Sequence, residues 1–259
     1  LLRKILVRKL GQCSPRKRQA SWFPDTYRFA YGTPDLELLQ LAERRMRREL
    51  EAAWRERAEG LPLADPAELL TLASIVERES ALASERPRVA GVYVQRLREG
   101  MRLQSDPTVI YGLGETWDGN IRTRDLRTDT PYNSYTRKGL PPTPIALPGL
   151  QALRASSRPD ITGELFFVAT GLPDGSHVFS RTYAEHRKAV QAMLARQRAE
   201  RERALASERT TLAAQLRAAY MIGQREPIEM FLNQRDPAEA GRMLSYYGYF
   251  GRARAAQIA

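Results

Sequence analysis

The chain has 259 residues, of which 42% are hydrophobic and 27% are charged, so it can bury a core as one large domain or two smaller ones. No run of eighteen apolar residues occurs, which argues against a membrane-spanning helix, and the single cysteine, Cys13, excludes an internal disulfide. The net charge of +11 is uneven, because residues 1–19 carry +7 and no acidic side chain.

Most of the excess positive charge therefore lies in a short N-terminal arm, residues 1–19. The remaining 240 residues carry only +4, so a basic stripe across a folded body is not indicated. Such an arm can contact nucleic acid or an anionic membrane surface, but a solvated terminus is the simpler interpretation. We leave residues 1–19 unassigned and predict no nucleic-acid partner.

The first long helix is predicted from about Leu36 to Arg57, after the start signal Thr33-Pro34-Asp35. A later helix is predicted from about Pro87 to Arg98, and Gly100 ends it. Its inward side chains are Val89, Val92, Tyr93 and Leu97.

Between these two helices a third is predicted, which Asp65-Pro66 opens and which ends near Ala83. Within it, residues 69–80 read LLTLASIVERES, a run of good helix formers without glycine or proline. At about 100° per residue its apolar face consists of Leu69, Leu72, Ala73, Ile75 and Val76. Glu79 falls back onto this apolar side, whereas Glu77 lies on its flank and Arg78 lies opposite.

A carboxylate on an apolar face is costly unless it is paired or protonated. Desolvation raises its pKa, which is the condition for a carboxylic acid that donates a proton near neutral pH. From the helical wheel alone, the favoured interpretation of Glu79 is simpler: a boundary residue that reaches solvent or pairs with an arginine.

The segment from Gly112 to Gly149 is rich in glycine and proline and is predicted to be mostly loop. A loop of this length inside a compact domain is typically functional. It contains Tyr132-Asn133-Ser134-Tyr135, in which two aromatic rings and an amide suit a polar ring such as a sugar. Ordinary anchoring of the loop by the aromatic rings is the alternative.

The remaining elements predict an α+β fold, mostly helical with a small sheet. A short helix is predicted over Gly149 to Ser156, and a buried strand over Leu165 to Thr170. The partner strand is His177 to Ser180, and a helix follows from Thr182 to about Arg196. We interpret His177 and His186 as structural, and we expect no metal and no cofactor.

Five segments together resemble the endolytic murein transglycosylase family, also called MltG or YceG-like. They read ASIVERES, GMRLQSDPTVIYGLG, TPYNSYTRKGLPPTPIALPG, LFFVATG and HVFSRTYAEH, and the resemblance extends from about Trp22 to Gln197. It implies a lytic-transglycosylase-like catalytic domain over residues 20–197 that acts on peptidoglycan glycan strands. The implied enzyme is a lyase that cleaves the β-1,4 bond between N-acetylmuramic acid and N-acetylglucosamine within the strand and leaves 1,6-anhydro-muramyl ends.

The resemblance places the family's essential glutamate on Glu79, acting first as general acid and then as base. Glu77 is the alternative acid, and the wheel makes it the second choice. The implied substrate-binding residues are Gln104, Asp106, Tyr111, Asn133 and Tyr135. The family usually has Thr where Ser105 and Ser134 stand here, and both changes keep a hydroxyl group.

Residues 198–259 are expected to form an extended helical tail with breaks at Pro227 and Pro237. From residue 212 onward the tail resembles the coiled-coil region of EnvC-type murein hydrolase activators, which implies docking to cell-wall synthesis or division proteins. The family resemblance implies the periplasmic face of the bacterial inner membrane, although the family's membrane anchor is not found in residues 1–19. The alternative function is a non-catalytic cell-wall scaffold that recruits such factors through the tail.

Overall fold

The structure, a computed structural model, describes residues 21–233 and residue 249. The chain divides into two compact units, Leu1–Gln197 and Arg198–Ala259. The described elements are α1 (Asp35–Arg55), α2 (Pro66–Glu79), α3 (Arg86–Arg98), α4 (Asp106–Leu113), a 3₁₀ turn (Gly114–Thr116), α5 (Thr123–Arg127), α6 (Leu150–Ser157), β1 (Phe166–Ala169), β2 (His177–Ser180) and α7 (Tyr183–Asn233). The first unit is therefore an α+β fold in which helices dominate.

Helix α2 is the centre of the first unit. Asp65 caps its start by accepting the backbone N–H of Glu68 at 2.9 Å, and Pro66 occupies the first turn. The predicted apolar face is confirmed, since all five of its side chains are fully buried. Helices α1, α3 and α6 pack around α2, so its C-terminal residue ends inside the unit.

Helix α3 approaches the backbone that follows α6 unusually closely. A Cβ atom on Gly91 would lie 2.0 Å from the carbonyl oxygen of Asp160, so only glycine fits this point of the helix. The backbone N–H of Asp160 also donates to the carbonyl of Pro87 at 2.9 Å. This contact joins α3 firmly to the segment that leads into the sheet.

Strands β1 and β2 form an antiparallel hairpin in which Phe167 pairs with Phe179 and Ala169 pairs with His177. The hairpin was predicted correctly, but β1 is shorter than expected and its side chains are only partly buried. The described sheet has two strands, so β1 has a neighbouring strand along one edge only. Strand β1 packs on α3, and Phe167 and Phe179 of the hairpin pack against the hydrophobic core.

In the second unit, helix α7 runs through Pro227 to Asn233, so the predicted break at Pro227 is wrong. A proline removes one hydrogen bond from a helix, but its fixed φ near −65° is compatible with helical backbone. Pro237 lies outside the described residues. No helix in the described part of the chain combines the length and apolar composition needed to cross a bilayer.

Candidate active site

Glu79 is the last residue of α2, and its side chain is partly buried. Two hydroxyl groups donate to the same carboxyl oxygen, Oε1: the hydroxyl of Tyr93 on α3 at 2.5 Å and that of Ser105 at 2.5 Å. Within residues 21–233, no hydrogen-bond partner is found for the other oxygen, Oε2. One oxygen therefore fixes the side chain, and the other is left for a ligand or for the proton of the acid form.

Burial raises the pKa of Glu79 above its ordinary value and outweighs every other influence. The hydrogen bonds from Ser105 and Tyr93 act in the opposite direction, because they favour the carboxylate. The negative charge of Asp106 raises the pKa further, and His177 lowers it. The net upward shift keeps a proton on this carboxyl group closer to neutral pH than on an exposed glutamate.

Ser105 reaches Glu79 because a constrained turn precedes it. Gln104 has a φ of 51°, a left-handed conformation that costs a non-glycine residue on the order of 1–3 kcal/mol. The backbone N–H of Ser105 donates to Oγ of Ser134 at 2.9 Å, and the N–H of Gln104 donates to the carbonyl of Ser134 at 3.1 Å. The hydroxyl of Thr108 lies 2.8 Å from the same Oγ and donates to the carbonyl of Ser105 at 2.7 Å.

Asp106 and Tyr135 meet beside this turn. The hydroxyl of Tyr135 donates to Oδ1 of Asp106 at 2.6 Å, and burial together with this bond raises the pKa of Tyr135. The side chains of Gln104 and Asp106 are exposed. The structure thus gathers Gln104, Asp106 and Tyr135 around the serine that contacts Glu79.

Asn133 and Tyr111 both make contacts within the first unit, and their expected contact with a sugar stays a prediction. The side-chain nitrogen of Asn133 donates to the carbonyls of Asp125, Leu126 and Thr128, and its oxygen accepts the N–H of Tyr135 at 2.8 Å. This buried amide makes four hydrogen bonds within the loop, so it shapes the loop. Tyr111 packs edge-on against Tyr132, with ring centroids 4.8 Å apart, beside the hydrophobic core.

Glu77, the alternative acid, has a structural environment. Its Oε1 accepts from Arg86 at 3.1 Å, and its Oε2 accepts the backbone N–H of Gly149 at 3.0 Å. Both carboxyl oxygens are therefore held by hydrogen-bond donors of the protein. Glu77 connects α2 to the beginnings of α3 and α6, and these contacts favour Glu79 as the proton donor.

Two buried residues of α3 were missed as members of the site. Tyr93 was predicted to point inward, and a buried tyrosine hydroxyl requires a partner, which is a usable signal for its contact with Glu79. Arg96 lies one turn later and is almost fully buried. Its guanidinium donates to the carbonyl of Leu165 at 2.7 Å and to that of Leu103 at 2.5 Å, so it ties the sheet to the segment that carries Ser105.

A cavity of about 260 Å³ opens in the glycine- and proline-rich loop. Its lining consists of Pro131, Tyr132, Asn133, Ser134, Arg137, Lys138, Gly139, Leu140, Pro141 and Pro142. Glu79 is not in this lining, but Ser134 belongs both to the cavity and to the hydrogen bonds that position Ser105. The cavity therefore lies next to the Glu79 site and not around it.

The described residues hold no cluster of three or more His, Cys, Asp or Glu side chains arranged for a metal ion. His177 instead contacts Glu85, with its ring Nδ1 2.7 Å from a carboxyl oxygen. His186 stacks on Phe166 with ring centroids 5.3 Å apart, and burial lowers its pKa.

Comparison with known proteins identifies relatives of the chain. The sequence model of a family described as the YceG-like family matches residues 4–192. An endolytic murein transglycosylase from Bacillus subtilis (strain 168) is 42% identical over 121 residues, which cover 47% of this chain and 33% of that protein. One from Streptococcus pneumoniae serotype 2 (strain D39) is 35% identical over 127 residues, which cover 48% and 23%.

Among solved structures, the chain is similar to a yceG-like protein from Listeria monocytogenes. The TM-score is 0.57 at 32% sequence identity, and the match covers 65% of this chain and 54% of the other. The alignments span a third or less of the curated relatives' length.

Proposed function

Because the chain belongs to the YceG-like family, we propose that it is an endolytic peptidoglycan transglycosylase, a lyase that cleaves the bond between N-acetylmuramic acid and N-acetylglucosamine. The observation that carries this proposal is the environment of Glu79. Burial raises its pKa, two hydroxyl groups fix one of its oxygens, and the other has no partner in the described chain. A protonated and oriented carboxyl group is what the first chemical step requires.

In the first step, protonated Glu79 donates its proton from Oε2 to the glycosidic oxygen. The bond from that oxygen to C1 of the muramyl sugar breaks, and N-acetylglucosamine leaves with the proton. The hydroxyl groups of Tyr93 and Ser105 remain on Oε1 and stabilise the carboxylate that forms.

In the second step, the carboxylate of Glu79 removes the proton from the C6 hydroxyl group of the same muramyl sugar. The C6 oxygen then bonds to C1, which closes the 1,6-anhydro ring and returns the proton to Glu79. No water is consumed, so one carboxyl group serves both steps, whereas hydrolytic glycosidases use two. Asp106 is the nearby carboxylate that affects Glu79, and it accepts a hydrogen bond from the hydroxyl of Tyr135. This contact supports Glu79 as the single carboxyl group that acts in both steps.

For the substrate-binding residues we propose two groups. Gln104, Asp106 and Tyr135 are the candidates for direct contact with the sugar, because they surround Ser105 and two of them are exposed. Asn133 and Tyr111 are candidates for shaping the loop and the adjoining core.

The test is digestion of purified peptidoglycan by the full chain and by Glu79→Gln, followed by mass spectrometry of the released glycans. We expect 1,6-anhydro-muramyl ends from the parent and at least a 1,000-fold lower yield from the variant, the scale on which removal of an essential proton-transfer group acts. Glu77→Gln is the matched control, since it removes a neighbouring carboxylate whose oxygens are held by Arg86 and Gly149.

Reducing ends in place of anhydro ends would mean hydrolysis and a second carboxylate. Absence of cleavage by the folded parent would favour the scaffold function, in which residues 198–259 recruit cell-wall synthesis or division proteins. Leu205 and Leu216 on α7 are exposed apolar side chains that suit such docking. The substrate supports an extracytoplasmic location, and the periplasmic face of the inner membrane is the finer part of the proposal, which rests on the family resemblance.

A further inference from the structure

His177 begins strand β2, and Glu85 holds it with both carboxyl oxygens. Oε1 of Glu85 accepts the backbone N–H of His177 at 3.0 Å, and Oε2 lies 2.7 Å from the ring Nδ1. The two side chains are only 13% and 17% exposed. Because a carboxylate can only accept, the proton of this contact belongs to Nδ1, and Nε2 is the nitrogen that gains or loses a proton.

A short series of contacts leads from this imidazole to Glu79. The ring of His177 meets the ring of Phe167 edge-on at 5.6 Å, and Phe167 meets Tyr93 edge-on at 5.9 Å. The hydroxyl of Tyr93 donates to Glu79. Glu85 also closes the turn that follows Glu79, because its N–H donates to the carbonyl of Leu82 at 3.2 Å.

The charges around Glu79 come from several elements of the fold. Two titratable groups belong to α3: the neutral hydroxyl of Tyr93 and the charged guanidinium of Arg96. The carboxylate of Asp106 lies at the start of α4, and the neutral hydroxyl of Tyr135 lies in the loop. Strand β2 contributes His177, which in turn faces Glu85. Asp106 and His177 oppose each other: the negative charge of Asp106 raises the pKa of Glu79, and His177 lowers it.

We propose that His177, oriented by Glu85, is a positioning residue for Glu79: its positive charge, when Nε2 is protonated, stabilises the carboxylate that Glu79 becomes after it has donated its proton. Loss of the proton from Nε2 removes this support and favours the acid form again. The inference rests on the proposed function, because the balance between the two forms matters only if Glu79 acts first as acid and then as base.

The first measurement is the tautomer of the ring. The chain has two histidines, so the ¹⁵N imidazole spectrum of the full chain contains two rings, and His177→Asn assigns them. We expect the neutral ring of His177 to carry its proton on Nδ1 in the parent. In Glu85→Gln the amide nitrogen can donate to Nδ1, so the proton should move to Nε2. A proton on Nε2 in the parent would overturn the proposed orientation.

The second measurement is the titration of the Glu79 carboxyl group by ¹³C spectroscopy, with Glu79→Gln for assignment. In His177→Asn we expect the midpoint of Glu79 to rise by roughly half a pH unit, the scale for one charge that does not touch the carboxylate. His186→Asn is the matched control and should leave the midpoint unchanged, since His186 stacks on Phe166 and lies outside the ring contacts that lead from His177 to Tyr93.

An unchanged midpoint in folded His177→Asn overturns the proposal, and His177→Gln replaces that variant if it does not fold. Neither measurement needs substrate. A rise in the midpoint without any cleavage of peptidoglycan would therefore refute the proposed function alone, and cleavage without a rise would refute the role of His177 alone.

Discussion

At Glu79, burial acts on two properties of the protein at once. The desolvation that favours the protonated acid also makes the ionised side chain costly to the folded state. The hydrogen bonds from Tyr93 and Ser105 reduce this cost but do not remove it, because the pKa remains raised. Stability and the proposed reactivity are therefore coupled through a single carboxyl group.

We predict that Glu79→Gln is more stable than the parent at pH 7. The pKa of Glu79 in the folded protein lies above the value near 4.5 of an ordinary glutamate. The preference of the folded state for the protonated carboxyl group therefore stabilises the protein fully below pH 4.5. This stabilisation is lost as the pH rises through the pKa of Glu79 in the folded protein. The melting temperature should be about 2–4 °C higher for the variant at pH 7, as for roughly 1 kcal/mol in a domain of this size, with little difference at pH 4. Equal melting temperatures at pH 7 would contradict a destabilising Glu79.

We predict that Tyr93→Phe moves the alkaline limit of activity to higher pH. The lost hydrogen bond favours the carboxylate, so its removal raises the pKa of Glu79 further and keeps the acid protonated over a wider range. The maximal rate should fall about tenfold, since one hydrogen bond to a charged group contributes on the order of 1.5 kcal/mol. The edge-on packing of the ring on Phe167 is retained, so the melting temperature separates this effect from misfolding.

The helical wheel predicted the position of Glu79 on the apolar side of α2 because residues three and four apart share a face. The same reasoning could not identify Ser105, which contacts Glu79 through a turn with Gln104 in a left-handed conformation. It also could not show that the Asn133 amide is used within its own loop, because the loop's path decides which carbonyls surround it. The catalytic role of Glu79 stays a prediction until it is measured.

Among the elements, α2, α3 and α6 are held together at one point by the carboxylate of Glu77. Arg86 is only 12% exposed there, and the N–H of Gly149 has Glu77 as its acceptor. A single side chain thus fixes the end of α2 relative to the beginnings of two other helices, close to Glu79.

We predict that Glu77→Ala lowers the free energy of unfolding by about 2–4 kcal/mol. The substitution leaves Nη2 of the largely buried Arg86 and one backbone N–H without their acceptor, while Nε of Arg86 still donates to the carbonyl of Ser80 at 3.2 Å. Urea denaturation measures the change, and Glu43→Ala, which removes an exposed ion pair with Arg47 on α1, should cost less than 1 kcal/mol. A loss below 1 kcal/mol for Glu77→Ala would argue against this connection.

Helices α1, α3 and α6 were predicted to within about two residues because proline and glycine mark their ends. The predicted end of α2 near Ala83 is four residues too late, α7 continues past the predicted end near Arg196, and α5 lies in the segment predicted to be mostly loop. The hairpin was predicted because its two strands flank a short glycine-containing turn. The close approach of α3 to Asp160 was not predicted, since nothing local distinguishes Gly91 from a glycine that a helix merely tolerates. Pro227 shows the opposite failure, in which a strong local signal for a break was overridden by the helix on either side.

For the whole molecule, we predict that a chain ending at Gln197 keeps the activity proposed for the full chain. All described residues that surround Glu79 lie between positions 79 and 177, inside the first compact unit. The yield of 1,6-anhydro ends per mole of protein should stay within about twofold of the full chain. If the truncated chain folds but is inactive, residues 198–259 are needed for activity and the prediction is wrong.

The contacts of Glu79 and Glu85 have a consequence for the order in which the protein folds. Ser105 is 26 positions beyond Glu79 in the chain, and His177 is 92 positions beyond Glu85. Pairings this distant in sequence form late, because the intervening chain must first be ordered. During synthesis, Glu79 emerges early but gains its last neighbours only after the hairpin is complete. In a partly synthesised chain, Glu79 is present but its pKa is not yet raised. The appearance of the raised pKa would therefore report that folding is complete.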